Sequence, residues 1–176
     1  MNRIFNREDK SDLKQLSTKQ VLKKLSKFPL SIRELHNAAE VPVMTEDNFT
    51  NLTPKQLKAC LKKGVIVLLQ IPGQNVGHFV CIWKQPKENF IRYFDSFGAP
   101  IASQPLRQKL GGNAIMSNPV IYQQFGSNTC GPHCALRLAF KDLDDKQYKE
   151  EIQRMITQYG ITPDILAQSH YVLESD

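Results

Sequence analysis

The sequence predicts an α+β fold in which a small mixed or antiparallel sheet is flanked by helices. Apolar residues recur at helical spacing near both ends of the chain, at 9–27 and at 148–159. Between these segments, 65–71 is an almost continuous apolar run rich in β-branched residues, which is typical of a strand buried on both faces. Two further strand-like segments follow it, and the three together predict the sheet.

The first part of the chain, residues 1–63, is predicted to form a basic helical front layer. Its first helix covers roughly 9–27, and a break separates this helix from a short one near 31–39. An irregular passage is expected next. Thr53 is the predicted N-cap of the following helix because a proline, which suits a first helical turn, comes directly after it. Gly64 is predicted to end that helix.

The middle part, residues 64–142, is predicted to hold the core of the domain. After the strand at 65–71, the segments 78–84 and 90–95 are each strand-like and are separated by a short polar stretch that contains a proline. Such a stretch favours a turn. The two segments are therefore predicted to pair as an antiparallel hairpin.

The remainder of the core is less regular in sequence. Residues 98–118 contain repeated glycine and proline, which predicts a loop with one or two helical turns around 106–110. Residues 119–125 are predicted to be a fourth strand. A helix is then expected over 130–142, with its apolar side buried.

The last part, residues 143–176, is predicted to be helical. One amphipathic helix is expected to end at Gly160, and a last helix is expected from 162 to about 173. The length of 176 residues fits a single domain. The sequence therefore predicts one domain over 1–176, built from the front layer, the core and these C-terminal helices.

The composition excludes several classes of protein. Hydrophobic residues make up 41% of the chain and charged residues 23%, which is typical of a soluble globular domain. No apolar run approaches the roughly 20 residues of a membrane helix, and residues 1–7 lack a secretory apolar region. The four cysteines lack the spacing of a secreted disulfide scaffold. We therefore expect free thiols in a reducing compartment.

The net charge of +6 is concentrated in the front layer. Residues 1–63 hold 13 Lys or Arg against 7 Asp or Glu, whereas residues 64–176 hold 10 against 10. A cluster of cations can bind an acidic partner such as nucleic acid. The simpler interpretation is the solvated face of an amphipathic helix, and both interpretations stay open.

Candidate catalytic residues lie at the ends of the predicted core elements. His78 opens one strand of the hairpin and Asp95 ends the other, so their side chains are expected to meet. A carboxylate that accepts a hydrogen bond from an imidazole fixes the orientation of the ring. Cys130 lies at a predicted strand-to-helix junction, where free backbone N–H groups stabilise a thiolate. Gln123 or Gln124 is positioned in sequence to donate to an oxyanion.

A metal site is the main alternative for the cysteines. Cys130, His133 and Cys134 lie close together, and Cys81 is a further ligand type. Structural zinc sites usually draw paired ligands from two separate turns, whereas these residues fall within a single helical turn. We therefore predict no metal, and we expect Cys60, Cys81 and Cys134 to be core residues.

Three motifs, at 77–80, 93–98 and 124–131, carry a histidine, an aspartate, a glutamine and a cysteine in that order. In this order the chain resembles the adenovirus maturation protease and SUMO-protease superfamily of cysteine proteases. It is most similar to versions from large DNA viruses, virophages and maverick-type elements. The resemblance covers about residues 64–140.

The resemblance implies a papain-like convergent arrangement with the nucleophile at a helix N-terminus. It implies Cys130 as nucleophile, His78 as general base and then acid, and Asp95 as the residue that orients His78. It implies Gln124 as oxyanion donor, although the neighbouring Gln123 remains an alternative because the Gln-to-Cys spacing varies among members.

The resemblance also implies an endopeptidase that cleaves viral structural precursors during virion maturation through a thioester acyl-enzyme. The expected location is the virion or the host cytoplasm, and the expected partner is a capsid precursor or similar protein. No cofactor is expected, apart from DNA as an activator acting through residues 1–63. The alternatives are an isopeptidase for ubiquitin-like modifiers, an acetyltransferase with the same triad, and a non-catalytic module that binds capsid or nucleic acid.

Overall fold

The computed structural model describes residues 30–70 and 77–174. These residues form a mixed five-stranded sheet with the strand order β1-β2-β3-β4-β5 and with helices on both faces. The predicted α+β class is therefore confirmed. The predicted helix at 9–27 lies outside the described residues, and the division of the chain into three parts stays a prediction.

The sheet is antiparallel at its centre and parallel at its edges. β2 pairs antiparallel with β3, and β3 pairs antiparallel with β4, whereas β1 and β5 run parallel to their neighbours β2 and β4. The predicted hairpin of β3 and β4 is confirmed. The strands are β1 (Val43–Thr45), β2 (Val65–Gln70), β3 (Gly77–Trp83), β4 (Phe90–Phe94) and β5 (Ala114–Ser117).

Helices cover the two faces of the sheet unequally. One face carries α2, α3 and α4, and the other carries α1, α5, α6 and α7. The helices are α1 (Ile32–Ala39), α2 (Glu46–Thr50), α3 (Pro54–Lys63), α4 (Gln104–Leu110), α5 (Cys130–Ala139), α6 (Asp145–Tyr159) and α7 (Pro163–Glu174).

Local sequence signals account for where several helices begin and end. Thr53 caps α3 in a capping box with Gln56, as its sequence predicted. Asp144 forms the same kind of box with Gln147 at the start of α6. Gly160 ends α6 in the left-handed conformation, with φ 63°, which a residue with a Cβ adopts less readily.

The core consists of two layers because β2 and β3 bury both of their faces. Along β2, Ile66 packs on the side of α5, while Val65 and Val67 pack on the side of α3. α5 is the central helix of its layer, and its residues from Gly131 to Leu138 are all buried. A Cβ at Gly131 would lie 3.0 Å from Leu35, so glycine permits this close packing below the start of α5.

The prediction for residues 119–125 is wrong, because this segment is irregular rather than a strand. Hydrogen bonds to the end of β4 and the turn after it set the position of this segment. Asn118 Nδ2 donates to the backbone oxygens of Asp95 and Val120. The backbone N–H groups of Tyr122 and Gln123 both donate to Ser96 O. These bonds occupy backbone groups that a strand would use in a ladder.

The last strand of the sheet lies instead at Ala114–Ser117, within the stretch 98–118 that was predicted to be a loop. The predicted helical turns of this stretch are present as α4. Similarly, the passage after α1 that was expected to be irregular contains β1 and α2. Both short edge strands pair with distant parts of the chain, so a local pattern does not reveal them.

Candidate active site

Cys130 is the first residue of α5 and lies beside β3. The backbone N–H of Phe79 is 3.5 Å from Cys130 Sγ, in the geometry of a weak hydrogen bond. The thiol is partly exposed, whereas Cys81 and Cys134 are buried. Both the start of the helix and this N–H direct partial positive charge toward the sulfur.

His78 is the second residue of β3 and faces the same cleft as Cys130. Its Nε2 atom lies 3.0 Å from Asp95 Oδ1. Nε2 has no well-aligned hydrogen bond, so this contact is best described as an ion pair. Phe97 stacks on the imidazole with ring centroids 5.4 Å apart. The ring is thus held between a carboxylate and an aromatic face.

Asp95 is fixed by its own backbone and by the turn after β4. Its N–H donates to Asn118 Oδ1 at 2.9 Å, and its Oδ1 accepts the N–H of Phe97 at 2.7 Å. The side chain is buried. A carboxylate held in this way can orient His78 without moving itself.

The environment of His78 strongly favours its protonated form. Burial alone would lower the pKa of His78, but the adjacent carboxylate of Asp95 and the sulfur of Cys130 raise this pKa to about 9. At neutral pH the ring is therefore an imidazolium. This cation lines the same cleft as Cys130.

Of the two candidate glutamines, the structure brings Gln123 to the cleft and not Gln124. Gln123 is buried and lines the cleft. Its Oε1 accepts a 2.6 Å hydrogen bond from Ser96 Oγ, and its Nε2 donates at 2.6 Å to Ser127 O. Gln124 is exposed and does not line the cleft.

A second buried network, which the sequence analysis missed, lies next to the segment that leads into Cys130. Asp164, in the first turn of α7, is 2.8 Å from His133 Nε2 and accepts from Thr129 Oγ1 at 2.6 Å. Its other oxygen accepts the backbone N–H of Gln124 at 3.1 Å. Burial raises the pKa of Asp164, but these donors outweigh it and hold the pKa below its usual range.

This network joins the segment that carries Cys130 to α7. Thr129 is the N-cap residue of α5, yet its hydroxyl donates to Asp164 instead of capping the helix. His133 is buried and its Nδ1 has no hydrogen-bond partner. The acidic residue in the first turn of α7 was a visible signal, but the sequence did not show which residues it contacts.

The cleft has a volume of about 470 Å³. Its walls come from the residues before and within α1, from β2 and β3, from the turn after β4 and from the segment leading into α5. Apolar side chains and the candidate catalytic groups Cys130 and His78 both line it. The side chains that matter for the chemistry and the shape are Leu30, Ile32, Leu68, His78, Phe97, Gln123 and Cys130.

Neither a metal centre nor a membrane helix is found in the part of the chain that the structure describes. Within residues 30–70 and 77–174, no group of three or more His, Cys, Asp or Glu side chains is placed to hold a metal ion. Over the same ranges, no helix is long and apolar enough to cross a bilayer. His133, the alternative metal ligand, is paired with Asp164.

The described residues thus define an α+β domain whose cleft contains a cysteine at a helix N-terminus beside a histidine–aspartate pair. No family model matches the chain. The chain is 30% identical over 124 residues to the uncharacterized protein V9 of Sputnik virophage, covering 58% of this chain and 70% of that protein. It belongs to the same family as that virophage protein.

The chain is also similar in structure to the SUMO protease Ulp1, solved with its catalytic cysteine oxidized to a sulfinic acid. The TM-score is 0.44 and the sequence identity is 13%, over 100% of this chain and 88% of that chain.

Proposed function

We propose that this protein is a cysteine protease that hydrolyses peptide bonds through a thioester acyl-enzyme. The observation that carries the proposal is the meeting of Cys130, His78 and Asp95 at one cleft, although they lie on three separate segments of the chain. In this mechanism Cys130 attacks the carbonyl carbon. His78 gives a proton to the leaving amine and later takes one from the attacking water. Asp95 orients His78.

Gln123 is the better oxyanion donor of the pair. Its side-chain oxygen is held by Ser96, which fixes the amide orientation, and one of its two N–H donors is bound to Ser127 O. The second N–H of the amide is free to donate. The backbone N–H groups at the start of α5 supply further donors for the charge that develops on the carbonyl oxygen.

The proposed substrates are precursors of viral structural proteins, cut during virion maturation. The virophage source of the related V9 protein supports a viral setting. The cleft supports a peptide as substrate, because apolar side chains line it together with Cys130 and suit the side chains next to the cleaved bond. The proposed place of action is the virion or the host cytoplasm.

The proposal is tested by the reactivity of the nucleophile and by cleavage. The purified full chain is incubated with a peptide vinyl sulfone and, separately, with structural proteins of the virus that encodes it, and intact mass and new N-termini are read by mass spectrometry. We expect one adduct on Cys130 and new termini. Cys130→Ala should lose both, whereas the control Cys60→Ala, which changes a thiol on α3, should keep both.

Two results would contradict this function. If Cys130→Ala retains cleavage, Cys130 is not the nucleophile. If the native protein forms no adduct at neutral pH and cuts no precursor, the domain is a non-catalytic module. Ubiquitin-like conjugates included in the same assay identify an isopeptidase, because only a deconjugase releases the intact modifier.

A further inference from the structure

A second concavity lies on the opposite face of the sheet from the cleft. It has a volume of about 460 Å³ and is formed between α3 and the turn that joins β3 to β4. We call it the α3 groove. Its floor is apolar and its rim is basic: the floor is the partly exposed Leu57 above the buried Leu61 and Ile91, with the exposed prolines Pro54 and Pro86 at its ends, and the rim is Lys58, Lys62 and Lys84.

The α3 groove is separate from the candidate active site. Its floor belongs to the core layer of α3, whereas Cys130 packs with the layer of α5. His78 lies near the start of β3 and Lys84 follows its last residue, so roughly 20 Å of strand separates them. Among the described residues, none lines both concavities.

The positive charge around this groove is not balanced within the described part of the protein. α3 contains four lysines and no acidic residue. Among the ion pairs between described residues, none involves a rim lysine. The dipole of α3 favours Lys62 near its C-terminal end. It does not account for Lys58 in mid-helix or for Lys84 on the hairpin.

We propose that the α3 groove binds an acidic peptide segment of a partner protein. Aliphatic side chains of the segment would pack on Leu57, Pro54 and Pro86, and carboxylates on either side would face the rim lysines. Such an arrangement combines burial of apolar surface with complementary charge at the rim. The proposal does not depend on the protease activity.

A peptide fits this surface better than nucleic acid does. Proteins that bind single strands usually stack bases on aromatic side chains, and the described residues that line the groove include no Phe, Tyr or Trp. The apolar side chains of the floor also provide no hydrogen-bond donor for a phosphate backbone. The lysines could bind either a peptide or a nucleic acid. The apolar floor is therefore the feature that favours a peptide.

The test is a binding measurement with defined probes. A fluorescein-labelled 12-residue peptide that alternates Glu with Leu is titrated with the full chain at about 0.15 M salt, and anisotropy is recorded. A second peptide has Ser in place of Leu, and a 12-base-pair DNA duplex is the third probe. The Glu/Leu peptide should bind at least about tenfold more tightly than either of the others.

Charge-reversal variants locate the binding site. Lys58→Glu combined with Lys62→Glu should weaken binding of the Glu/Leu peptide about tenfold. The matched control is Lys146→Glu combined with Lys149→Glu on α6, which makes the same charge change at exposed positions on the opposite face. It should change the affinity less than about twofold. All four lysines are exposed, so folding should be retained.

Hydrogen exchange provides an independent readout, since the bound peptide should protect amides of α3 and of the β3–β4 turn. The proposal is overturned if the native chain does not bind the Glu/Leu peptide. It is also overturned if the Ser peptide or the duplex binds as tightly, or if both double variants weaken binding equally. Binding that persists in Cys130→Ala would separate this site from the active site.

Discussion

The buried carboxylate of Asp164 is predicted to hold the nucleophile segment in place, and Asp164→Ala tests this. The substitution removes the acceptor of three hydrogen bonds, from Thr129 Oγ1, His133 Nε2 and the N–H of Gln124. Bonds to a charged group contribute about 1.5 kcal/mol each at the low end, so the loss should be about 4.5 kcal/mol.

A loss of this size would be a large part of the about 5–15 kcal/mol that keeps a domain folded. The free energy of unfolding is measured by urea titration, together with the rate at which Cys130 reacts with the vinyl sulfone. Asp164→Asn keeps an acceptor for Thr129 and should lose less stability. In both variants, the rate at which Cys130 reacts with the vinyl sulfone should fall by a larger factor than the affinity of the protein for a non-reactive peptide.

Glu150→Ala is the matched control for loss of a carboxylate. Glu150 is exposed on α6 and lies 4.0 Å from Lys146, and exposed pairs of this kind contribute little. The free energy of unfolding of the Glu150→Ala protein should stay within about 0.5 kcal/mol of the native value. If Asp164→Ala also stays within that range and leaves the reaction of Cys130 unchanged, the network does not position the nucleophile.

The remaining predictions concern the triad and the oxyanion donor. Since the pKa of His78 is raised from 6.5 to about 9, its stabilising contribution is complete below pH 6.5 and is lost as pH rises through 9. Urea titrations should show this loss in the native chain but not in His78→Gln. Asp95→Asn should lower the pKa of His78, seen by NMR, and leave partial activity; an unchanged pKa contradicts the pairing. Gln123→Ala should lower kcat about 100-fold, whereas Gln124→Ala should not, and the reverse result would assign the role to Gln124.

Local signals in the sequence were sufficient for much of the scaffold. The capped helix α3, the buried strand β2 and the β3–β4 hairpin all follow from patterns within a few residues. The hairpin pairs Cys81 with Phe94 and Ile82 with Tyr93, which brings the ends of its strands together. The closeness of His78 and Asp95 was predictable for this reason.

The choice between the two glutamines was not predictable in the same way. The segment that carries them was expected to be a strand, and in a strand neighbouring residues point to opposite faces. Its actual path depends on Ser96, whose backbone oxygen accepts from Tyr122 and Gln123 and whose hydroxyl holds the Gln123 amide. These contacts join residues more than 20 positions apart.

By itself, the sequence determined the fold class, the position of Cys130 at the start of a helix and the order of the candidate catalytic residues. Periodicity, capping and turn chemistry act over short distances, so they can be read from neighbouring residues. Only the tertiary structure decided that Gln123 lines the cleft, that Asp164 bonds to Thr129, His133 and Gln124, and that β5 completes the sheet. Each of these depends on partners far away in the chain, which become neighbours only when the chain folds.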